Sequence, residues 1–336
     1  MTKYFLYELK KHLWTLVILT TVCALPYVVN MATFTMIHEW EHWETGELQT
    51  MVQSPSLSGV FWALLILLFV VPMIMYSFKM SKRGVDGYYS LPLKKEKLYF
   101  ILTMVGLILV LVPYTVSYWL GFFALLFREG NPYHMGYFVP AYFVGVCFAI
   151  FLYGVNAFVF TRANRTSDGV VYMLAYAFVG YLFMTTVDAF MPSGQYIYYS
   201  IESAFLFGGG MFRCVETLGS AICGGIANFN HAAWWFGLPI GAGIVCYGLL
   251  FYLLRYEKGE NAEQNSESWF GYKTLIPVYL ALLTCTNADG GSLVLFLIAA
   301  MVATIVHKRT FRLKWKDVLP MACGFAAGLL LMIIHT

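Results

Sequence analysis

Apolar residues run almost unbroken through nine stretches of this chain, and polar residues collect in the gaps between them. The stretches cover about residues 13–34, 57–78, 98–127, 136–160, 168–190 and 233–254, followed by shorter ones near 274–286, 291–306 and 318–335. Several reach the roughly 20 residues that cross a hydrocarbon core about 30 Å thick. Lipid offers a backbone amide no partner, so a crossing segment is a helix or part of a closed barrel. These runs are continuous and rich in Leu, Val and Phe, without the alternation of a barrel strand. The pattern predicts an all-α polytopic membrane protein with six spans over 1–256, a linker over 257–273 and about three further spans over 274–336.

The polar gaps refine this picture. Residues 2–12 place Phe5, Leu6 and Leu9 on one stripe with Leu13, and Glu8, Lys10 and Lys11 elsewhere, which predicts a helix lying in the membrane interface. The run from Leu13 exceeds the apolar core of a signal peptide and lacks an A-x-A site, so it reads as a retained first span. The polar, acidic stretch YEKGENAEQNSES reads as a flexible linker. In the tail, residues 275–306 are either one overlong span or a hairpin turning at Gly290 and Gly291. The hairpin gives nine spans and the single span gives eight.

Composition closes off other classes. With 336 residues, 60% apolar and 12% charged, the chain is not a soluble globular protein. If the amino terminus is cytoplasmic, the hairpin reading puts all 21 lysines and arginines except Arg128 and Arg213 on the inner side, as the positive-inside rule asks. Basic clusters that flank spans suit anionic lipid, and no nucleic-acid partner is expected. Seven cysteines occur without C-x-x-C spacing, so no zinc or redox motif follows. There is no G-x-x-x-x-G-K-[ST] phosphate loop and no G-x-S-x-G.

The most patterned polar gap is KMSKRGVDGYYSLPLKKEKLYF, residues 79–100. Lys79, Lys82 and Arg83 come first. Gly84, Asp86 and Gly87 are expected to break a continuing helix, Tyr88–Leu91 to form a short amphipathic piece, and Pro92 to end it. Lys94, Lys95 and Lys97 precede the next apolar run. This order, a basic cluster, R-x-x-D, an aromatic, S-L-P and a second basic cluster between the second and third spans, resembles the coupling loop of bacterial type-two ABC exporter permeases. The resemblance covers roughly the first three quarters of the chain, and the three-span tail departs from the family's six-span pattern. It implies that Arg83, Asp86, Tyr89, Ser90, Leu91 and Pro92 dock on a separate ATPase subunit, which would carry the ATP and magnesium. It further implies a second permease subunit, identical or related, and a bacterial plasma membrane with the amino terminus cytoplasmic. This chain would then hold no cofactor and catalyse no covalent step. An ordinary inner loop obeying charge rules is the alternative.

Three further features carry candidate chemistry. Residues 191–232 are too rich in glycine and polar residues for a lipid-facing span and too apolar for a solvated loop. Glu202, Arg213 and Glu216 would be costly in lipid unless paired or hydrated. A re-entrant hairpin fits, similar to the outer re-entrant helices of the same permeases; an outer loop capping the bundle is the other reading. Cys214 and Cys223 within it are either bridged or buried and reduced. Tyr114, Tyr118, Tyr172, Tyr176 and Tyr181 are candidates to line an amphipathic path, or are packing aromatics. Finally, His38–His42 reads HEWEH, which on a helix would set His38 and His42 on one face as zinc ligands with Glu39 as base. A membrane-bound metalloprotease is therefore a rival reading. Against it, no third ligand is announced, and Met36, Ile37, Trp40 and Trp43 fall on the stripe of a plain interfacial helix. A non-transporting membrane scaffold is the third.

Overall fold

Every one of the nine apolar runs forms a helix, because each is long, free of charge over most of its length and able to satisfy its amides only within itself. The computed structural model describes residues 2–33, 37–41, 48–52, 57–127, 135–189, 229–254, 259–264, 266, 268–286, 290–308 and 314–335. An amino-terminal helix α1 (Thr2–Lys11) precedes α2 (Leu13–Thr33). A hairpin follows, of β1 (Ile37–Glu41) and β2 (Leu48–Val52). Then come α3 (Ser58–Tyr76), the short α4 (Lys82–Tyr89) and α5 (Lys95–Leu126). Next are α6 (Met135–Thr161), α7 (Thr166–Ala189) and α8 (Phe229–Leu253). The tail comprises α9 (Tyr272–Thr286), α10 (Gly290–Lys308) and α11 (Trp315–His335).

Among the described residues, six helices are long and apolar enough to cross a membrane, and the segments Ile240–Leu253 and Tyr272–Cys285 are shorter apolar helices. The chain is a multi-pass, all-α membrane protein, with one small antiparallel hairpin among the described residues. Helices α3, α5 and α6 supply most of the core, with Leu64, Leu68, Val71, Val105, Leu109, Tyr153 and Phe160 almost wholly enclosed. Around them α2 lies along α5, α8 lies along α6, and α7 leads to the tail through α9. Helix α9 has 15 residues, about 22 Å at 1.5 Å per residue, less than a full hydrocarbon thickness. It packs most closely on α11, where Gly324 and Gly328 leave room for the Pro277 and Ala281 carbonyls and the Thr284 hydroxyl. Such i, i+4 small residues let membrane helices approach without a hydrophobic drive between them. The tail has its own small cluster of Leu280, Ala300 and Met321.

Large aromatics seat into glycine sites at the helix contacts. A Cβ at Gly121 would overlap the Tyr27 ring, one at Gly145 the Tyr114 hydroxyl, one at Gly106 the Tyr153 hydroxyl, and one at Gly271 the Tyr172 hydroxyl. The second and third pairs both join α5 to α6, the first joins α2 to α5 and the last joins α7 to the segment before α9, so register is fixed by shape as well as by apolar area.

Three local expectations are corrected. Residues 37–41 form a strand paired with 48–52, with Ile37 opposite Val52 and Glu41 opposite Leu48, and not an interfacial helix. Four residues apart means one turn on a helix, but about 13 Å along a strand at 3.3 Å per residue. His38 and Glu39 lie on β1, whereas His42, with Trp43, lies outside the described residues. In α1 the buried stripe is rotated: Leu6 and Leu13 are exposed, whereas Glu8 is buried and Tyr4, Phe5 and Leu9 pack on the core. Burial of Glu8 is tolerated because its carboxylate accepts from Tyr4 Oη at 2.7 Å and Lys11 Nζ at 3.5 Å. Third, Gly84 and Gly87 do not break the chain, since α4 runs through both.

Candidate docking surface at the basic end

Five polar segments meet at one end of the bundle. The 3₁₀ turn Ser77–Met80 brings the chain out of α3, and Ser81 starts α4 in extended geometry, its hydroxyl accepting the Gly84 amide at 3.1 Å. Serine in extended geometry is a favoured helix cap because its short side chain reaches an otherwise orphaned amide. Gly84 serves close approach: a Cβ there would lie 2.7 Å from the Ser81 hydroxyl oxygen and closer still to the Phe78 carbonyl. The helix closes at Ser90, whose hydroxyl donates to the Gly87 carbonyl at 3.0 Å, and Pro92 stands in the turn before Lys94 opens α5.

Amphipathicity orients α4. Val85 is buried, and Tyr88 stacks on Phe78 with ring centroids 4.1 Å apart. Its hydroxyl accepts from Lys11 Nζ of α1 at 2.7 Å, with the ammonium 5.1 Å from the ring centroid. Tyr89 is half-buried under Lys95, which sits 4.6 Å from its ring centroid, and Leu91 packs on the core. Arg83, Asp86, Ser90 and Pro92 are exposed, and neither Arg83 nor Asp86 has a side-chain partner among the described residues. The six residues of the candidate docking set therefore divide. Four present a polar outer face, and Tyr89 and Leu91 hold the segment down.

The neighbouring segments fix the electrostatics of this end. Burial moves the Tyr4 phenol well above its usual range, helped by the adjacent Glu8 carboxylate. For Lys11 burial acts downward, but the bond to Tyr88 and the charge of Glu8 outweigh it, and the net shift is upward. Burial and the Lys11 charge lower His12 despite Glu8, 3.7 Å away. The basic turn between α6 and α7 joins from the other side. Lys79 donates to the Thr161 carbonyl, and Arg165 Nε donates to the Glu263 carbonyl at 2.8 Å.

The linker is where sequence reasoning missed most. It is not a free tether among its described residues: Ala262 and Ser266 are buried, Gly259–Asn261 forms a 3₁₀ turn, and the Ser266 hydroxyl donates to the Arg162 carbonyl at 3.2 Å. Tyr176 donates to the Phe270 carbonyl at 3.0 Å, and Tyr279 to the Ala175 carbonyl at 2.7 Å, so α7 holds both the end of the linker and the start of the tail. The signal available in sequence was alanine and serine at spaced positions in an otherwise charged stretch.

The remaining candidate residues fall into separate places. Tyr114 and Tyr118 of α5 are buried against α6, where Tyr118 donates to the Phe138 carbonyl at 2.7 Å and Tyr114 stacks on Tyr142. Tyr172 is buried against Tyr272, and Tyr176 borders an apolar recess of about 290 Å³ with Trp269, Phe270 and Val278. Among the described residues the two groups belong to different helix contacts. Tyr181 lies on α7, with its side chain among the residues left undescribed. Glu202, Arg213, Glu216, Cys214 and Cys223 fall outside the described residues. No group of three or more His, Cys, Asp or Glu able to hold a metal occurs among the described residues. Comparison with protein-family models, with curated proteins and with solved structures finds no match to this chain.

Proposed function

We propose that this chain is the membrane-spanning subunit of an ATP-driven ABC exporter, built to dock on separate ATPase subunits through α4. The observation that carries the reading is α4 itself. It is an amphipathic helix at the basic end, stacked on Phe78, tied to α1, and leaving Arg83, Asp86, Ser90 and Pro92 exposed. A solvated loop that only obeyed charge rules has no need of a capped helix on a packed base. An outer face rigid and charged, over an inner face continuous with the core, is what a surface needs to pass a push from a soluble partner to the spans. The partner would bind ATP and magnesium, and this chain would supply the path together with a second permease subunit. The membrane would be a bacterial plasma membrane with the amino terminus on the cytoplasmic side, in keeping with the basic residues there.

The test is purification of the full chain from its native membrane in mild detergent. The expected result is a stoichiometric ATPase whose hydrolysis depends on the complex. A preparation without any nucleotide-hydrolysing partner overturns the proposal, and one carrying stoichiometric zinc with peptidase activity replaces it by the metalloprotease reading.

A further inference from the structure

The first amides of a helix lack intrahelical partners, and two of those at the exposed start of α4 find side-chain acceptors. Ser81 caps one locally, at Gly84. The other, at Lys82, donates to Glu263 Oε1 at 3.3 Å, from a residue 181 positions further along the chain. Glu263 makes two more bonds with its backbone: its amide donates to the Asn164 carbonyl at 3.1 Å and its carbonyl accepts from Arg165 Nε at 2.8 Å. It also has φ of 67°, and no other non-glycine residue among the described ones has positive φ. A side-chain-bearing residue adopts that conformation at a cost, and holds it where its surroundings over-determine it. The buried Ala262 and Ser266 on either side anchor the backbone, while the Glu263 side chain remains in solvent.

We infer that Glu263 is a positioning residue for α4, through which the three-helix tail is joined to the candidate docking surface. Its carboxylate meets the positive end of the helix, where an acceptor both satisfies an amide and opposes the dipole. With Lys11 bonded to Tyr88 at the far end of α4, the helix is gripped at both ends by segments outside the α3–α5 connection. Any tilt of α4 then has to move the linker, the α6–α7 turn and α9 with it. The tail is thus part of the device that receives the push. The link to coupling rests on the proposed docking function; the grip on α4 does not.

Amide hydrogen exchange of the full-length chain in lipid nanodiscs tests the grip. Exchange in residues 82–89 should quicken roughly five- to tenfold in Glu263→Ala, the effect of losing one solvent-exposed hydrogen bond of ordinary strength. Glu263→Gln, which keeps an oxygen acceptor, should restore most of the protection, and Glu263→Lys should not. Residues 2–11 should be unchanged in all three. In the purified complex, stimulation of the ATPase should fall several-fold in Glu263→Ala and recover in Glu263→Gln. Equal exchange in residues 82–89 for the parent and Glu263→Ala overturns the inference. If exchange responds as stated but no ATPase accompanies the chain, the positioning role stands and the docking function falls. Should Glu263→Ala fail to insert, the contrast between the Gln and Lys variants decides by the same criterion.

Discussion

The phenol of Tyr153 on α6 occupies the space that a Cβ would take at Gly106 on α5. Both residues are buried at the centre of the bundle, where the Tyr76 hydroxyl lies 2.7 Å from the Thr103 hydroxyl. Glycine admits the Tyr153 ring by shape, and the ring's buried hydroxyl makes no hydrogen bond among the described residues. Tyr247 repeats the fit, its ring over Gly154, but its hydroxyl donates to the Ile150 carbonyl at 2.7 Å.

Gly106→Val should therefore be among the most damaging single changes in the core. Overpacking of a close contact costs about 1–3 kcal/mol, and here the ring has a backbone and a neighbouring helix behind it. The melting temperature in detergent should fall by several degrees, with Gly248→Ala as the control, since an added Cβ there meets nothing within 4 Å. Equal melting temperatures for the two variants would remove the tyrosine–glycine contact as a determinant of packing.

The α1 cluster makes stability depend on pH in a definite direction. Burial and Lys11 lower the His12 pKa below its unfolded value of about 6.5. The unfolded chain then binds more protons in the window just below that value, so stability falls as pH drops through it and is constant above. Glu8, Tyr4 and Tyr88 complete the set of groups in the cluster. Melting temperature measured from pH 8 to pH 5 should decline, and His12→Gln should flatten the decline. A decline of unchanged size in that variant would assign the effect to other groups.

What could be read from sequence follows from the period of the signal. Nine apolar runs were legible because hydrocarbon leaves the backbone no choice, and each run is a helix. The stretch around His38 reads as a helix because Ile37 and Trp40 stand three apart; in the strand they fall on opposite faces, and five residues are too few for periodicity to decide. Glycines at 84 and 87 suggested a break, yet the local cap from Ser81 and the stacking of Tyr88 on Phe78 outweigh their low helix propensity. The grip of Glu263 on Lys82 had no trace in the sequence, because a contact across 181 residues is set by how the whole bundle folds.

The side of the membrane is open to direct labelling. Introduced cysteines at Glu44 and Asp289 should react with an impermeant reagent from outside intact cells, and those at Lys95 and Lys314 only after lysis. Labelling of Lys314→Cys from outside would mean that 275–306 crosses once, against the hairpin reading.

Arg213 is a charge in the apolar stretch 191–232 with Glu202 and Glu216 as its acidic neighbours in sequence. Charges at such places persist where paired or hydrated. Arg213→Met should reduce the yield of folded protein more than Arg128→Met, at a position the sequence pattern assigns to an outer loop. Equal and negligible effects at both sites would make the segment a solvated cap.

The structure also sharpens how docking should be probed. Leu91 packs on the core and Tyr89 is half-buried under Lys95, so Leu91→Asp would damage the base of α4 and confuse loss of contact with loss of fold. Asp86 and Arg83 stand on the exposed face, three residues apart on one helix, and are bonded to nothing else described. Asp86→Lys should leave insertion and melting temperature within error, since exposed substitutions away from special contacts change stability by about 0.5 kcal/mol or less. Under the proposed docking role, a charge reversal on this face should nevertheless weaken association, most strongly at low salt. The measurement is ATPase retained by the tagged chain over a salt series, with Asp86→Lys, Arg83→Glu and the pair together. Retention that drops in each single variant at low salt, by an amount that shrinks as salt rises, marks α4 as the docking face. Full retention in the double variant at every salt concentration removes α4 from the interface and leaves it a packed inner loop.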